Sequence, residues 1–157
     1  MKEEMNNLIK NETKLFQWID PDFENWNVDE GIKAKKQKLA TKIPDKDFTF
    51  KDVFKEEDAI SQEEVIDYVK EHKKEIEKFS HLFLLKNSKG EFFVASVLVL
   101  SVGELGVCVY RLEYSSVWFA GGRRRVVVPQ LALEPFDLSQ IKITIEGKNY
   151  GLVEEEI

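Results

Sequence analysis

Beyond residue 80 the spacing of apolar residues shortens from a helical period to strict alternation, and this switch most constrains the fold. The stretch 61–79 places Val65, Val69, Ile76 and Phe79 on one stripe. Ser61 and Glu64 form a capping box, and Lys70, Lys73 and Lys74 fall in the C-terminal half, so a helix is predicted there. His72 falls on its polar face. From 81 onward, strands are predicted at 81–86, 91–100, 105–113, 117–120, 124–128, 141–146 and 150–153. The turns NSKG (87–90) and SVGELG (101–106) separate the first three. Such runs predict an antiparallel β-meander of 5–7 strands over 81–153, with one sheet face packed on helix 61–79.

An earlier helix is expected over about 4–19, where Met5, Leu8, Ile9, Leu15, Phe16 and Ile19 recur at helical spacing until Pro21 forces Asp20 out of the α region. Residues 20–31 are expected as a loop whose Phe23 and Trp26 plug the edge of the core. Lys33–Lys42 holds five lysines and no acid, which predicts a solvated, mobile connector. The expected architecture is therefore α+β in one domain, 1–157. Residues 1–45 would supply the N-terminal helix and connector, and 46–157 the α+β body.

Charge and composition narrow the function classes. With 33% charged and 43% hydrophobic residues the chain is globular rather than disordered. A net charge of −6 argues against global attraction to nucleic acid or anionic membranes. No stretch approaches a membrane span and none reads as a signal peptide, so the expected location is cytoplasmic. Cys108 is the only cysteine, with no histidine near it in sequence to make it a thiolate nucleophile. His72 and His81 are nine residues apart with no further ligand at metal-binding spacing, so no metal and no cofactor is expected. No set of acid, base and nucleophile is legible, and the expected function is non-enzymatic.

The most informative stretch is 92–130. Val97, Val99, Val107 and Val109 alternate with Ser96, Leu98, Leu100, Cys108 and Tyr110, so a two-stranded ribbon would carry valine on one face and a mixed set on the other. If the valine face meets the helix, the mixed face is free for contact with another molecule. The competing reading is a second buried layer over that face.

In full, the stretch reads F-F-V-A-x-V-x-V-x-x-x-G-E-L-G-V-x-V-x-R-L-E-x-x-x-V-W-x-A-x-x-R-x-R-V-V-V-P-Q. It resembles the variable region of diversity-generating retroelement target proteins, of the kind found in small-genome uncultured bacteria. In that family a reverse transcriptase copies a template repeat with errors at adenines. The copy replaces the variable repeat, so chosen codons become nearly any N-N-pyrimidine codon on a fixed scaffold. The resemblance implies a ligand-binding protein with a variable region over 94–128. The diversified positions would be Ser96, Leu98, Leu100, Ser101, Val102, Cys108, Tyr110, Tyr114, Ser115, Ser116, Phe119, Gly121, Gly122 and Arg124. All are residue types that N-N-pyrimidine codons encode. Within 92–128 the types such codons cannot encode occur only as Glu104, Glu113 and Trp118, each at a fixed slot.

Tyr110, Tyr114 and Phe119 would act as rigid aromatic anchors and the serines as adaptable contacts. Trp118, Arg111, Arg123 and Arg125 would be scaffold. The resemblance also implies an alternative fold, C-type-lectin-like with the variable region near the C-terminus. Because 27 residues follow Gln130, a different sheet-based scaffold is the first expectation. The expected partner is a protein or other macromolecule that the sequence does not identify, and oligomeric state is left open. The second functional reading is a nucleic-acid or anion-binding module using Lys33–Lys42 and Arg123–Arg125, with Gly121-Gly122 forming an anion nest.

Overall fold

Apolar residues on both sides of the strands between 80 and 111 build the part of the sheet that the other elements cover. The computed structural model describes residues 8–35, 37–120, 124–130, 144–145 and 148–149. In chain order the elements begin with β1 (Trp18–Ile19), α1 (Asp22–Asn25), β2 (Leu39–Lys42) and α2 (Phe50–Val53). Helices α3 (Gln62–Glu71) and α4 (Lys73–Lys78) follow. The remaining strands are β3 (Ser80–Lys86), β4 (Phe92–Ser101), β5 (Glu104–Arg111), β6 (Arg124–Pro129), β7 (Thr144–Ile145) and β8 (Lys148–Asn149). The protein is α+β, on a six-stranded sheet in the order β1-β5-β4-β3-β6-β2.

Two compact units divide the chain, 1–36 with 40–128, and 37–39 with 129–157. In the second, the Gln130 N–H donates to the Lys38 carbonyl at 2.8 Å, and β7 pairs antiparallel with β8. The rest of the strands expected at 141–146 and 150–153 lies outside the described residues.

The sheet is mixed, which corrects the expected pure meander. β3, β4 and β5 are antiparallel in sequence order, but β1 lies parallel to β5 and β6 parallel to β3. Residues 117–120 form no strand beyond a single bridge between Trp118 and Phe48. The reason is that β5's outer edge is already taken. The Gln17 and Asp20 N–H groups donate to the Leu105 and Val107 carbonyls, and the side chains of Gln17 and Asp20 accept from the Leu105 and Val109 N–H groups. The chain after β5 therefore crosses to the free edge of β3.

That same edge pairing unmakes the expected first helix over 8–19; its residues 4–7 lie outside the described residues. Residues 8–16 form short turns, with Glu12 N–H bonded to Ile9 O and Phe16 N–H to Glu12 O. Asn11 and Thr13 are weak helix formers, and the docking of 17–20 on β5 outweighs the local period. Ile9 and Phe16 are still buried. The loop expected at 20–31 contains the one-turn α1, with Asp20 Oδ1 accepting from the Asp22 N–H at 3.0 Å. Phe23 is buried, while Trp26 stacks on Phe93. The connector expected at 33–42 is strand over Leu39–Lys42.

The helix expected at 61–79 is two helices. Ser61 caps α3, accepting from the Glu64 N–H, as its capping box requires. At His72 the backbone leaves helical geometry (φ −122°, ψ 31°), so His72 is a junction residue and not part of a polar helix face. Its Nδ1 lies 2.9 Å from the Tyr68 carbonyl, and its ring stacks on Tyr68 at 3.9 Å. This local bond competes with continuation of the helix.

Register assigns the two sheet faces. His81, Phe83, Leu85, Phe93, Ala95, Val97, Val107 and Val109 share one face, which is buried; Tyr68 of α3 meets Phe83 edge-on, and α4 contacts β4. Leu82, Leu84, Val94, Ser96, Cys108 and Tyr110 share the other. Phe48, Phe50, Phe54, Leu112 and Trp118 pack over this second face beside Leu82, Leu84, Val94 and Val126. Phe50 is the centre of that layer, 5.5 Å from the Tyr110 ring and 5.3 Å from Trp118. Its truncation to alanine is expected to cost about 3–5 kcal/mol in urea unfolding. Gly31 runs against the Lys86 and Asn87 backbone with no room for a Cβ. Gly31→Ala is accordingly expected to cost about 1–3 kcal/mol by the same measurement.

Candidate functional site

The second face is covered at one end only, and the candidate contact residues distribute along that gradient. Ser96 is buried, with Cys108 opposite it, which corrects its expected outward placement; the Phe48–Phe54 layer is the second cover that the alternation had allowed. Val99, expected inward with the other valines, is instead 37% exposed as β4 runs out toward its turn. Leu98, Cys108 and Tyr110 are half-buried. Leu100, Ser101 and Val102 are exposed at the turn, where Val102 reaches 99% and Gly103 takes φ +79°. Leu100 folds over Gly106, so closely that a Cβ at Gly106 would lie 2.9 Å from its Cδ2.

A second group of candidates meets in the crossing segment after β5. Tyr114, Ser115, Ser116 and Phe119 are exposed, and Arg124 is half-buried. Tyr114, Ser116, Val117, Trp118, Phe119 and Arg124 line a groove of about 250 Å³. Tyr110 stacks on Tyr114 at 5.4 Å and meets the Trp118 ring edge-on at 5.6 Å, so the mixed sheet face runs into the groove through aromatic contact. The Arg124 guanidinium lies 4.3 Å from the centre of the Trp118 ring, a cation–π contact. Gly121, Gly122 and Arg123 lie outside the described residues. Arg124 and Arg125 turn to opposite faces, Arg125 lying 3.7 Å over the Phe79 ring, so these two do not form a joint anion site.

Sequence reasoning missed Val117 and Trp118 as groove residues, and missed the whole Phe48–Phe54 layer. Those phenylalanines are two and then four apart, which matches neither a strand nor a helix period. Trp118 carries the one buried side-chain polar atom without a hydrogen-bond partner among the described residues, its Nε1. Leaving such a donor unmet costs about 1–3 kcal/mol.

Burial pushes the Cys108 thiol above its ordinary value and the Asp20 carboxylate adds to this, against a hydrogen bond with Tyr110 that lowers it. Burial, with Cys108 beside it, also raises the Tyr110 phenol. His81 is buried in β3 with Nδ1 2.8 Å from the Phe79 carbonyl, and desolvation lowers its pKa. Among the described residues no group of three or more His, Cys, Asp or Glu side chains could hold a metal ion. No helix among them is long and apolar enough to cross a membrane.

No protein-family model, curated protein or solved structure matches the chain.

A raised thiol pKa means less thiolate at a given pH. Iodoacetamide is therefore expected to alkylate Cys108 at about pH 8 several-fold more slowly than an unstructured cysteine peptide, the gap narrowing as pH rises. Equal rates at that pH would contradict the assignment of a hindered, protonated thiol.

Proposed function

We propose that the protein is a non-enzymatic ligand-binding protein whose contact surface comprises the β4–β5 turn and the groove at Tyr114–Arg124. The partner is a protein or other macromolecule, and the surface is diversified in the manner of a retroelement target protein. The observation that carries this reading is convergence. Four of the six described groove-lining residues, Tyr114, Ser116, Phe119 and Arg124, are positions that the resemblance marks as replaceable. The remaining two, Val117 and Trp118, belong to the fixed pattern, and Trp118 packs against the core layer.

Energetics support the same division. A replaceable side chain must not enter a core whose total stability is only about 5–15 kcal/mol. Leu100, Ser101, Val102, Tyr114, Ser115, Ser116 and Phe119 all meet solvent and satisfy that condition. Ser96 does not, and it drops out of the proposed surface. Aromatic anchors with short polar neighbours, as at Tyr114, Ser115, Ser116 and Phe119, are the composition of adaptable binding loops.

Two measurements test the reading. Combined replacement of those seven exposed residues by other N-N-pyrimidine residues is expected to change unfolding free energy by no more than about 0.5 kcal/mol per site, as for ordinary surface positions. Phe93→Ala, in the fully buried face, is expected to cost about 3–5 kcal/mol. Equal intolerance at both sets would sink the surface. In the coding DNA, a near-identical repeat of the codons for 94–129, differing mainly where the repeat has adenine and lying beside a reverse-transcriptase gene, is the expected neighbourhood. A locus without such a repeat removes the diversification.

A further inference from the structure

The groove has a chemical bias of its own. Its walls are aromatic or branched, with Phe119 69%, Val117 60% and Tyr114 46% exposed. No carboxylate lines it among the described residues. The one charged group among its described lining residues is Arg124, which forms no ion pair among the described residues although acids outnumber bases in the chain by 29 to 23. The Trp118 indole N–H meets no acceptor among those residues but is itself buried, so the charged donor that the groove offers is Arg124.

We infer that the groove takes a carboxylate carried on a flat apolar group of a protein partner, with Arg124 as counter-ion and Tyr114 and Phe119 as apolar walls; this rests on the contact-surface reading above. Arginine matches a carboxylate with two parallel N–H donors, and its stacking on Trp118 limits the freedom lost on binding. The volume of about 250 Å³ accommodates a group the size of a phenylalanine with its terminal carboxylate. A nucleic-acid backbone is disfavoured because such binding sums over several phosphate contacts, and Arg124 is the only cation among the described lining residues.

The test is a titration of the full ¹⁵N-labelled chain with N-acetyl-L-phenylalanine, following the Trp118 indole N–H resonance, which Trp118→Phe assigns. N-acetyl-L-phenylalanine amide and inorganic phosphate serve as parallel probes. The expected result is a saturable shift with the acid and at least tenfold weaker binding of the amide and of phosphate. Arg124→Gln should lower affinity for the acid to that for the amide, while Phe119→Ser, at an exposed position, weakens both. Absence of a saturable shift at tens of millimolar acid overturns the proposal, as does equal binding of acid and amide or indifference to Arg124→Gln. Phosphate binding as tightly as the acid also overturns it, in favour of a phosphate-bearing ligand. If these fail while the seven exposed positions remain replaceable, only the ligand class falls. If the positions prove intolerant, the contact-surface reading falls whatever the acid does.

Discussion

A sheet that is apolar on both faces needs a cover on each, and the rest of this structure answers that requirement. The face bearing Phe83, Ala95, Val97, Val107 and Val109 is buried at these residues and opens only at Val99, near the turn, and Tyr68 of α3 packs on its Phe83. The opposite face receives a shorter cover from Phe48, Phe50, Phe54 and the crossing segment through Leu112 and Trp118. Because that cover stops before the β4–β5 turn, burial falls along β4 from Val94 through Leu98 to Leu100. The groove sits where the crossing segment turns toward β6. Its aromatic walls are therefore an extension of core packing, through Phe50, Tyr110 and Trp118, out to side chains that meet water.

Local signals survived folding where one segment supplied both the period and its partners. Strands β3 to β5 follow their alternation, and the Ser61–Glu64 capping box starts α3. The break at His72 was invisible because Val69 and Ile76 stay on one buried stripe across it, seven residues apart. The apparent first helix failed for a different reason. Ile9 and Phe16 are buried, but the backbone of 17–20 is committed to β5, a partner nearly ninety residues away in sequence. No window of local sequence reports that the edge of a distant strand lacks hydrogen-bond partners. Parallel pairing of β6 with β3 escaped for the same reason.

The site was legible in part. Alternation correctly separated Val97 and Val107 from Leu98 and Cys108, yet alternation says only which face a side chain occupies and nothing about what lies over that face. Ser96 and Leu100 point the same way, and one is buried while the other is open. The difference comes from three phenylalanines in 48–54, whose spacing announces no regular element. Tyr114, Ser116, Phe119 and Arg124 come together because the segment between β5 and β6 must cross the sheet, a constraint set by topology.

The two-residue β1 has a consequence for the protein in crowded solution. A strand of that length leaves most of β5's outer backbone needing partners, and an open ladder is a template for recruiting foreign chains. Here the Gln17 carboxamide and the Asp20 carboxylate complete the ladder with side-chain oxygens, bonding the Leu105 and Val109 N–H groups at 2.8 and 3.1 Å. A carboxylate at that edge also repels the backbone carbonyls of an incoming strand. Two polar side chains thereby occupy N–H groups of β5's outer edge with which a foreign strand would otherwise pair, beside a hairpin turn that presents leucine and valine to solvent.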